Sequence, residues 1–560
     1  MTTVAPRFSV LTAVHDPERA HLEECLRSVR DQDFADWEHI VVDDASTRPW
    51  VSEVLDRAAA ADQRVRVIRR TDNGGIVAAS NDALAAATGE LIALLDHDDV
   101  LTRRALSSMS AACHDEIDVV YSDHDLLRPD GRFATPSYKP DFSPERLRSQ
   151  NYITHFLVAR HSLVKRVGGF RPGFDGAQDH DLVLRLTERA RGVGHVPKVL
   201  YHWRQSPNSV TTNSDSKPWA FEAGVRAVAD HCDRVGIRAT VELTEHEGCY
   251  RVCRELTEHP LVSVIIPTRG SAGRVWGATR VFVVDAVQSL LDRSTYRELE
   301  FVVIYDSATP DPVLAALRRI AGDQLKLVEY DKPFNFSDKM NLGAVHASGD
   351  LLLLLNDDTE LIEPTSIDLM VAHLQTPGVA LVGAKLLFSD GTLQHGGHVY
   401  HYDLRHACLG WPGDSPGPWP LRPLAVEREC SGVTAAAALV DRRAFEQVGG
   451  FPTELPLNFN DVDFCLKLRA AGHRIVWTPW ATWYHFESRT RVPELADGEY
   501  EFINERWHYA INNDPYYNMN LEPRRSDWLE RPLRSGAPAI ESRPNVLRRL
   551  TSRLRPGGPD

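Results

Sequence analysis

The sequence predicts an α/β protein built from two tandem domains with mostly parallel sheets, and three observations carry that prediction. Strand-like and helix-like stretches alternate along each half, which places parallel strands in a sheet covered on both faces. An acidic string follows a buried-type apolar run twice, as Leu94-Leu95-Asp96-His97-Asp98-Asp99 and as Leu354-Leu355-Asn356-Asp357-Asp358-Thr359. Further landmarks hold the same spacing: Asp44 to Asp306 is a step of 262, Asp98 to Asp358 of 260, Asp179 to Asp461 of 282 and His202 to His485 of 283. An offset that is steady, jumps once and is steady again means a duplication with an insertion between Asp358 and Asp461 of the second copy. A period this long means tandem domains, because solenoid repeats run at roughly 20–50 residues.

In the first half, Phe8 to Val14 is β-rich, His21 to Arg30 has helical spacing, and Trp37 to Val42 is a strand running into Asp43-Asp44. A helix over Val51 to Ala61, a strand over Val65 to Arg69, a helix over Ile76 to Ala87 and a strand over Leu91 to Leu95 follow. The second half repeats the order with Leu261 to Thr268, Val283 to Leu291, Leu299 to Tyr305, Pro312 to Ile320, Leu325 to Tyr330, Lys339 to Ala347 and Asp350 to Leu355. The domains are therefore placed at 1–216 and 259–510, with a linker region over 217–258 and a C-terminal extension over 511–560. The linker region itself reads as a helix (Trp219 to Val235) and two short strands. The insertion, Ser389 to Arg428, is rich in Gly, Pro, Trp and His and reads as a long loop, a class of segment that is often functional.

The length of 560 residues exceeds what one core usually serves. A net charge of -15 argues against nucleic acid as a partner, because a phosphate-binding surface normally needs a basic stripe. The eight cysteines form no C-x-x-C pair and read as reduced thiols, and the N-terminus lacks the basic and apolar regions of a signal peptide. No stretch is apolar enough to span a membrane. A cytoplasmic protein is the expectation.

Ligands of open α/β sheets bind beyond the carboxyl ends of strands, so Asp43, Asp44, Asp96, Asp98 and Asp99 are expected around one crevice. Carboxylates clustered there are costly to hold without a cation or a positively polarised ligand. Neither G-x-G-x-x-G after the first strand nor a P-loop is present, so ligand phosphates would be held through a divalent cation on paired carboxylates. His395, His398, His401 and His406 invite a zinc reading, but their spacing matches no regular zinc motif. They are not assigned as a metal centre.

The ordered strings Val-Val-Asp-Asp-Ala-Ser (41–46), Asp-His-Asp-Asp (96–99), Gly-Gly-Phe (168–170), Gln-Asp-His-Asp-Leu (178–182) and Tyr-His-Trp-Arg (201–204) resemble family 2 of the inverting nucleotide-sugar glycosyltransferases, which have the GT-A fold. The resemblance covers roughly residues 7–212 and 260–492. Tyr138-Lys139-Pro140-Asp141-Phe142-Ser143-Pro144, Asn151-Tyr152-Ile153, Lys332-Pro333-Phe334-Asn335-Phe336-Ser337 and Phe459-Asn460-Asp461-Val462-Asp463-Phe464 narrow it to tandem-domain bacterial enzymes of O-antigen and other surface polysaccharides. The resemblance implies a nucleoside-diphosphate-sugar donor, a glycan or lipid-linked glycan acceptor, and Mg²⁺ or Mn²⁺. It implies that Asp44 and Asp306 meet the nucleotide base. Asp96 and Asp98, with Asn356 and Asp358 in the second copy, would meet the ribose and the metal. Asp179 and Asp461 would be general bases, and His202 and His485 would contact metal or diphosphate.

Asn356 replaces the first acid of the D-x-D, but amide oxygens also ligate hard cations, so activity in both halves is expected. A degenerate, acceptor-binding second half is the alternative, and a noncatalytic glycan-binding scaffold is the reading from another class. Asp179 and Asp461 also read as helix-start acids, and the Gly-Gly-Phe strings as turns. Leu547, Leu550 and Leu554 lie among arginines in the C-terminal tail, so peripheral contact with the inner membrane surface is a further expectation, beside that of a frayed tail.

Overall fold

The structure is a computed structural model that describes residues 5–205, 218–401, 404–486 and 498–531. Two large sheets have the same strand order. In the first the order is Val65–Arg69, Trp37–Asp43, Phe8–Val14, Leu91–Leu94, Leu157–Arg160, Val119–Leu127, Val193–Arg204, Val100–Leu101. In the second it is Leu325–Tyr330, Leu299–Asp306, Val262–Thr268, Leu351–Leu355, Ala437–Asp441, Val379–Leu387, Arg474–His485, Thr359–Leu361. The first four strands of each are parallel to one another. Leu157–Arg160 and Ala437–Asp441 then run antiparallel inside the sheet.

The central strands are apolar on both faces because helices cover both. Phe8, Val10 and Val14 pack with Leu22, Cys25 and Val29 of the helix Arg19–Arg30, whereas Leu11 of the same strand packs with Val77, Ala79 and Ala83 of the helix Gly75–Ala86 on the other face. Alternate side chains of a strand point to opposite faces, so such a strand reads as a continuous apolar run.

One brace beneath the acid strings is duplicated to the atom. Gly89 N–H donates to Ser9 Oγ at 2.8 Å, and Ser9 Oγ–H donates to Glu38 Oε1 at 2.6 Å. Gly349, Ser263 and Glu300 repeat the pair of bonds at 2.8 and 2.6 Å. A Cβ on Gly89 would lie 2.6 Å from Ser9 N, and one on Gly349 would lie 2.3 Å from Leu261 O, so both turns require glycine. Each glycine starts the strand that ends in an acid string, and thus fixes where that string emerges.

The stretch expected as a linker, 217–258, is part of the first half's core. Ala227, Val228 and Cys232 of the helix Pro218–Arg234, with Tyr250 and Val252 of the following hairpin, pack with Leu182, Val183 and Leu186. The start of the expected C-terminal extension is also built in. Asn518 Nδ2 donates to Asp123 Oδ2 at 3.0 Å and to the carbonyl of Lys139 at 2.9 Å, while Asp514 accepts the Tyr400 amide at 2.8 Å. The basic tail lies outside the described residues. Among the described residues, no helix is long and apolar enough to cross a membrane.

The two halves meet through a buried ionic cluster. Glu145 is fully buried and pairs with Arg148 at 2.7 Å, Arg474 at 3.3 Å and Arg254, while Arg254 also pairs with Glu427 at 3.0 Å. Ser143 Oγ–H donates to Glu429 at 2.5 Å, and Glu429 pairs with Arg474 at 2.8 Å. Burial pushes the Glu145 pKa up, but Arg148 and Arg254 overcome it and hold the carboxyl well below its usual range. Removing one member of a buried pair strands its partners. Glu145→Gln is therefore expected to cost about 3–5 kcal/mol of stability, read as a fall in the denaturant midpoint with the unfolding slope unchanged.

Candidate active sites

In the first half the acid string Asp96-His97-Asp98-Asp99 leaves the strand Leu91–Leu94 at its carboxyl end. Asp99 is buried and already engaged: it accepts the Tyr201 hydroxyl at 2.5 Å and the Arg204 amide at 2.7 Å. It anchors the string, and its pKa is raised well above the usual value by burial and by Asp98 and Asp96. Asp96 is open to solvent, yet the surrounding protein and the charge of Asp98 push its pKa up to about 6. Oxygens of Asp96 and Asp99 and a ring nitrogen of His155 lie within 4.8 Å of one another.

Asp179 stands on the second residue of the helix Gln178–Thr187, where the helix dipole favours a negative charge. It is a helix-start acid, not the N-cap, which is Ala177. Asn151 Nδ2 donates to its Oδ2 at 2.9 Å. The His155 ring lies near, held by stacking on Tyr201 at 4.6 Å. Burial raises the Asp179 pKa, and His155 opposes that rise. A carboxylate acting as base loses function as pH falls through its pKa, so the acid limb of the rate profile is expected above the ordinary carboxylate range. A kcat/KM profile of the first half against pH reads that limb.

The second half matches this plan with other side chains. Asn356 Nδ2 lies 3.1 Å from His485 Nε2, which in turn lies 3.1 Å from Asp358 Oδ1, and His485 Nδ1 lies 2.6 Å from Gln394 Oε1. Asp357 accepts the Thr268 hydroxyl at 2.6 Å, and burial together with Asp358 pushes its pKa up to about 7. Asp461 occupies the second position of the helix Asn460–Ala470, as Asp179 does in its helix. Burial raises its pKa, opposed by His406 and by a hydrogen bond from Thr434. A cavity of about 270 Å³ opens beside it, lined by Asn356, Gln394, His398, His406, Asp461 and His485 among others.

Asp44 and Asp306 stand at matched strand ends with different partners. Asp44 accepts the amides of Gly74 at 2.9 Å and Gly75 at 2.8 Å and pairs with Arg70 at 2.8 Å. A carboxylate has about four lone-pair sites, which leaves one for a ligand. Asp306 instead pairs with the buried Lys339.

His202 is not brought into the first site. Its Nδ1 lies 2.5 Å from Asp125, and its ring stacks on Phe133 at 4.0 Å. The ladders explain why. Leu101 pairs with Tyr201 and Leu361 with Trp483, so the counterpart of His485 is Trp203, one residue beyond His202. Neighbouring residues of a strand face opposite ways. Trp203 lies against His155 at 5.1 Å, so an aromatic ring fills the place of the second-half histidine.

The insertion was expected as a long loop, but it carries short strands, Leu393–His395, His398–Tyr400 and Leu404–His406, that line the cavity. Buried side chains at Leu393, His395, Val399 and Tyr400 give it a core-facing surface that a solvated loop would lack. Its histidines are functional candidates that spacing alone missed.

Each half is thus a GT-A-type α/β domain, with an acid string and a helix-start aspartate at the carboxyl edge of its sheet. The chain belongs to glycosyl transferase family 2, whose profile matches residues 9–167 and 263–449. It is 36% identical over 530 residues to the O-antigen biosynthesis protein RfbC of Myxococcus xanthus, covering 92% of this chain and 40% of that protein. It is 39% identical over 541 residues to the uncharacterised protein y4gI of Sinorhizobium fredii, covering 94% of this chain and 58% of that one. The chain therefore spans between two fifths and three fifths of the length of these relatives. A solved structure of Staphylococcus aureus TarS with UDP-GlcNAc aligns with a TM-score of 0.33 and 21% identity over 40% of this chain and 66% of that one.

Proposed function

We propose that both halves transfer a sugar from a nucleoside-diphosphate donor to a hydroxyl of a growing glycan, with inversion at the anomeric carbon. The observation that carries this is the shared strand order, which sets Asp96, Asp98 and Asp179 in one half, and Asn356, Asp358 and Asp461 in the other, at the same edge of the sheet. In-line attack forms the bond from the acceptor oxygen to the anomeric carbon as the bond to the diphosphate breaks. The acceptor proton passes to Asp179 or Asp461. Asn151 holds Asp179 in place, and Asp44 has one lone-pair site left for the base.

The donor sets fit Mg²⁺ or Mn²⁺, which favour oxygen ligands. Asp96 and Asp98 would hold the ion in the first half. Asp358, the Asn356 oxygen and His485 would hold it in the second. When bound, it neutralises charge on the departing diphosphate. Similarity to an O-antigen biosynthesis protein supports a bacterial surface polysaccharide as the product, made at the cytoplasmic face of the membrane where a lipid-linked acceptor is reached. The second reading, an acceptor-binding second half, draws on Asn356 in place of an acid. Release of nucleoside diphosphate from a donor panel, with Mn²⁺ and with chelator, tests the proposal. Metal-dependent release with at least one donor is expected, and none with any donor would refute it.

A further inference from the structure

Among the described residues, the second half has a histidine cluster with no counterpart in the first. His395, His398 and His406 come from the three short strands of the insertion, His395 and His398 are almost fully buried, and one ring nitrogen of each lies within 4.8 Å of the others. The ring centroids form a nearly equilateral triangle with sides of 5.2, 4.9 and 5.1 Å, and the ring planes cross at 83°, 80° and 86°.

That triangle is the shape three imidazoles take around one ion. With a metal–nitrogen distance of about 2.0–2.1 Å, each ring centre stands roughly 3.2 Å from the metal, and tetrahedral angles then separate ring centres by about 5.2 Å. Edge-to-face packing also gives near-perpendicular rings at about 5 Å, so the distinguishing feature is that one nitrogen of each ring converges on the other two. The sequence spacing hid it because the ligands arrive on separate strands across the turn Gly396-Gly397. His401, the fourth histidine of the segment, goes elsewhere and lies against Tyr517 at 5.7 Å.

We infer that His395, His398 and His406 form a tri-histidine site for a divalent cation of the zinc class, separate from the oxygen-ligand site at Asp358, with its fourth position facing the cavity beside Asp461. Three neutral nitrogens select Zn²⁺, Co²⁺ or Ni²⁺ over Mg²⁺. Asp461 Oδ2 stands 4.0 Å from His398 Nε2, beyond a hydrogen bond, and both line the same cavity. His398 Nδ1 lies 3.0 Å from the Tyr400 hydroxyl, the outer contact that fixes the orientation of a metal-bound imidazole. The site would pin the inserted strands around the cavity beside Asp461.

The competing arrangement is a hydrogen-bonded chain. The Thr434 amide donates to His395 Nε2 at 3.3 Å, and His395 Nδ1 faces His406 Nδ1 at 2.7 Å. Metal analysis separates the two. The full chain, freed of any polyhistidine tag and gel-filtered in Mg²⁺ buffer without nucleotide, is expected to retain about one equivalent of zinc. After chelation and loading with Co²⁺ it should show the visible bands of a tetrahedral nitrogen site. His395→Gln and His406→Gln should each lose both signals while keeping the wild-type circular dichroism, and Asp98→Ala should keep both. Trace zinc with no cobalt bands in the folded wild type, as a hydrogen-bonded chain predicts, would overturn the assignment. So would full metal content in folded His395→Gln and His406→Gln. Neither reading depends on transfer activity, so failure here is distinguishable from failure of the proposed reaction.

Discussion

Asp461→Asn is expected to lower the transfer rate of the second half by about 10²–10⁴-fold, the usual contribution of a positioned general base. The amide keeps the size of the side chain and can still accept the Val462 amide, which meets Asp461 Oδ1 at 2.8 Å, so the start of the helix Asn460–Ala470 should be kept. What the amide cannot do is take the acceptor proton. The loss should therefore fall on kcat with donor affinity little changed, which single-turnover rates alongside donor titration would read. Asp179→Asn should do the same in the first half, where Asn151 would then face an amide in place of a carboxylate. An equal fall in donor affinity would mean that these residues hold the donor.

The other large effect belongs to the acid strings. Asp358→Ala removes both a candidate metal ligand and the carboxylate beside His485 Nε2. Weakened binding of Mn²⁺ and donor together is expected, with second-half transfer reduced by about 10²-fold or more, the scale of losing one electrostatic contact to the developing charge. Asp98→Ala should act likewise on the first half. Raising Mn²⁺ should partly restore Asp358→Ala, since Asn356 and His485 remain, and measuring rate against Mn²⁺ concentration checks this.

The duplicated architecture was legible because it rests on local pattern. Apolar runs, the acid strings and the Gly-Gly-Phe turns recur at fixed spacing, and the sheets follow the alternation of strands and helices. Asp179 and Asp461 were legible as first-turn acids and are found on matched helices. Three features were not. The offset of 283 from His202 to His485 differs by one residue from the 282 that separates the aspartates, and in a strand one residue reverses the facing of a side chain. The segment 217–258 looked like a linker because its amphipathic helix has no visible partner in sequence, yet it completes the first core. The histidines of the insertion sit at irregular spacing, and only the pairing of short strands brings three of them together.

Two working sites in one chain are tested most directly by linkage analysis of the products made by single variants. With a donor mixture and a short glycan acceptor, Asp179→Asn and Asp461→Asn should each lose one glycosidic linkage, a different one in each case. If Asp461→Asn leaves every product and rate unchanged, the second half is no transferase and the two-site account fails.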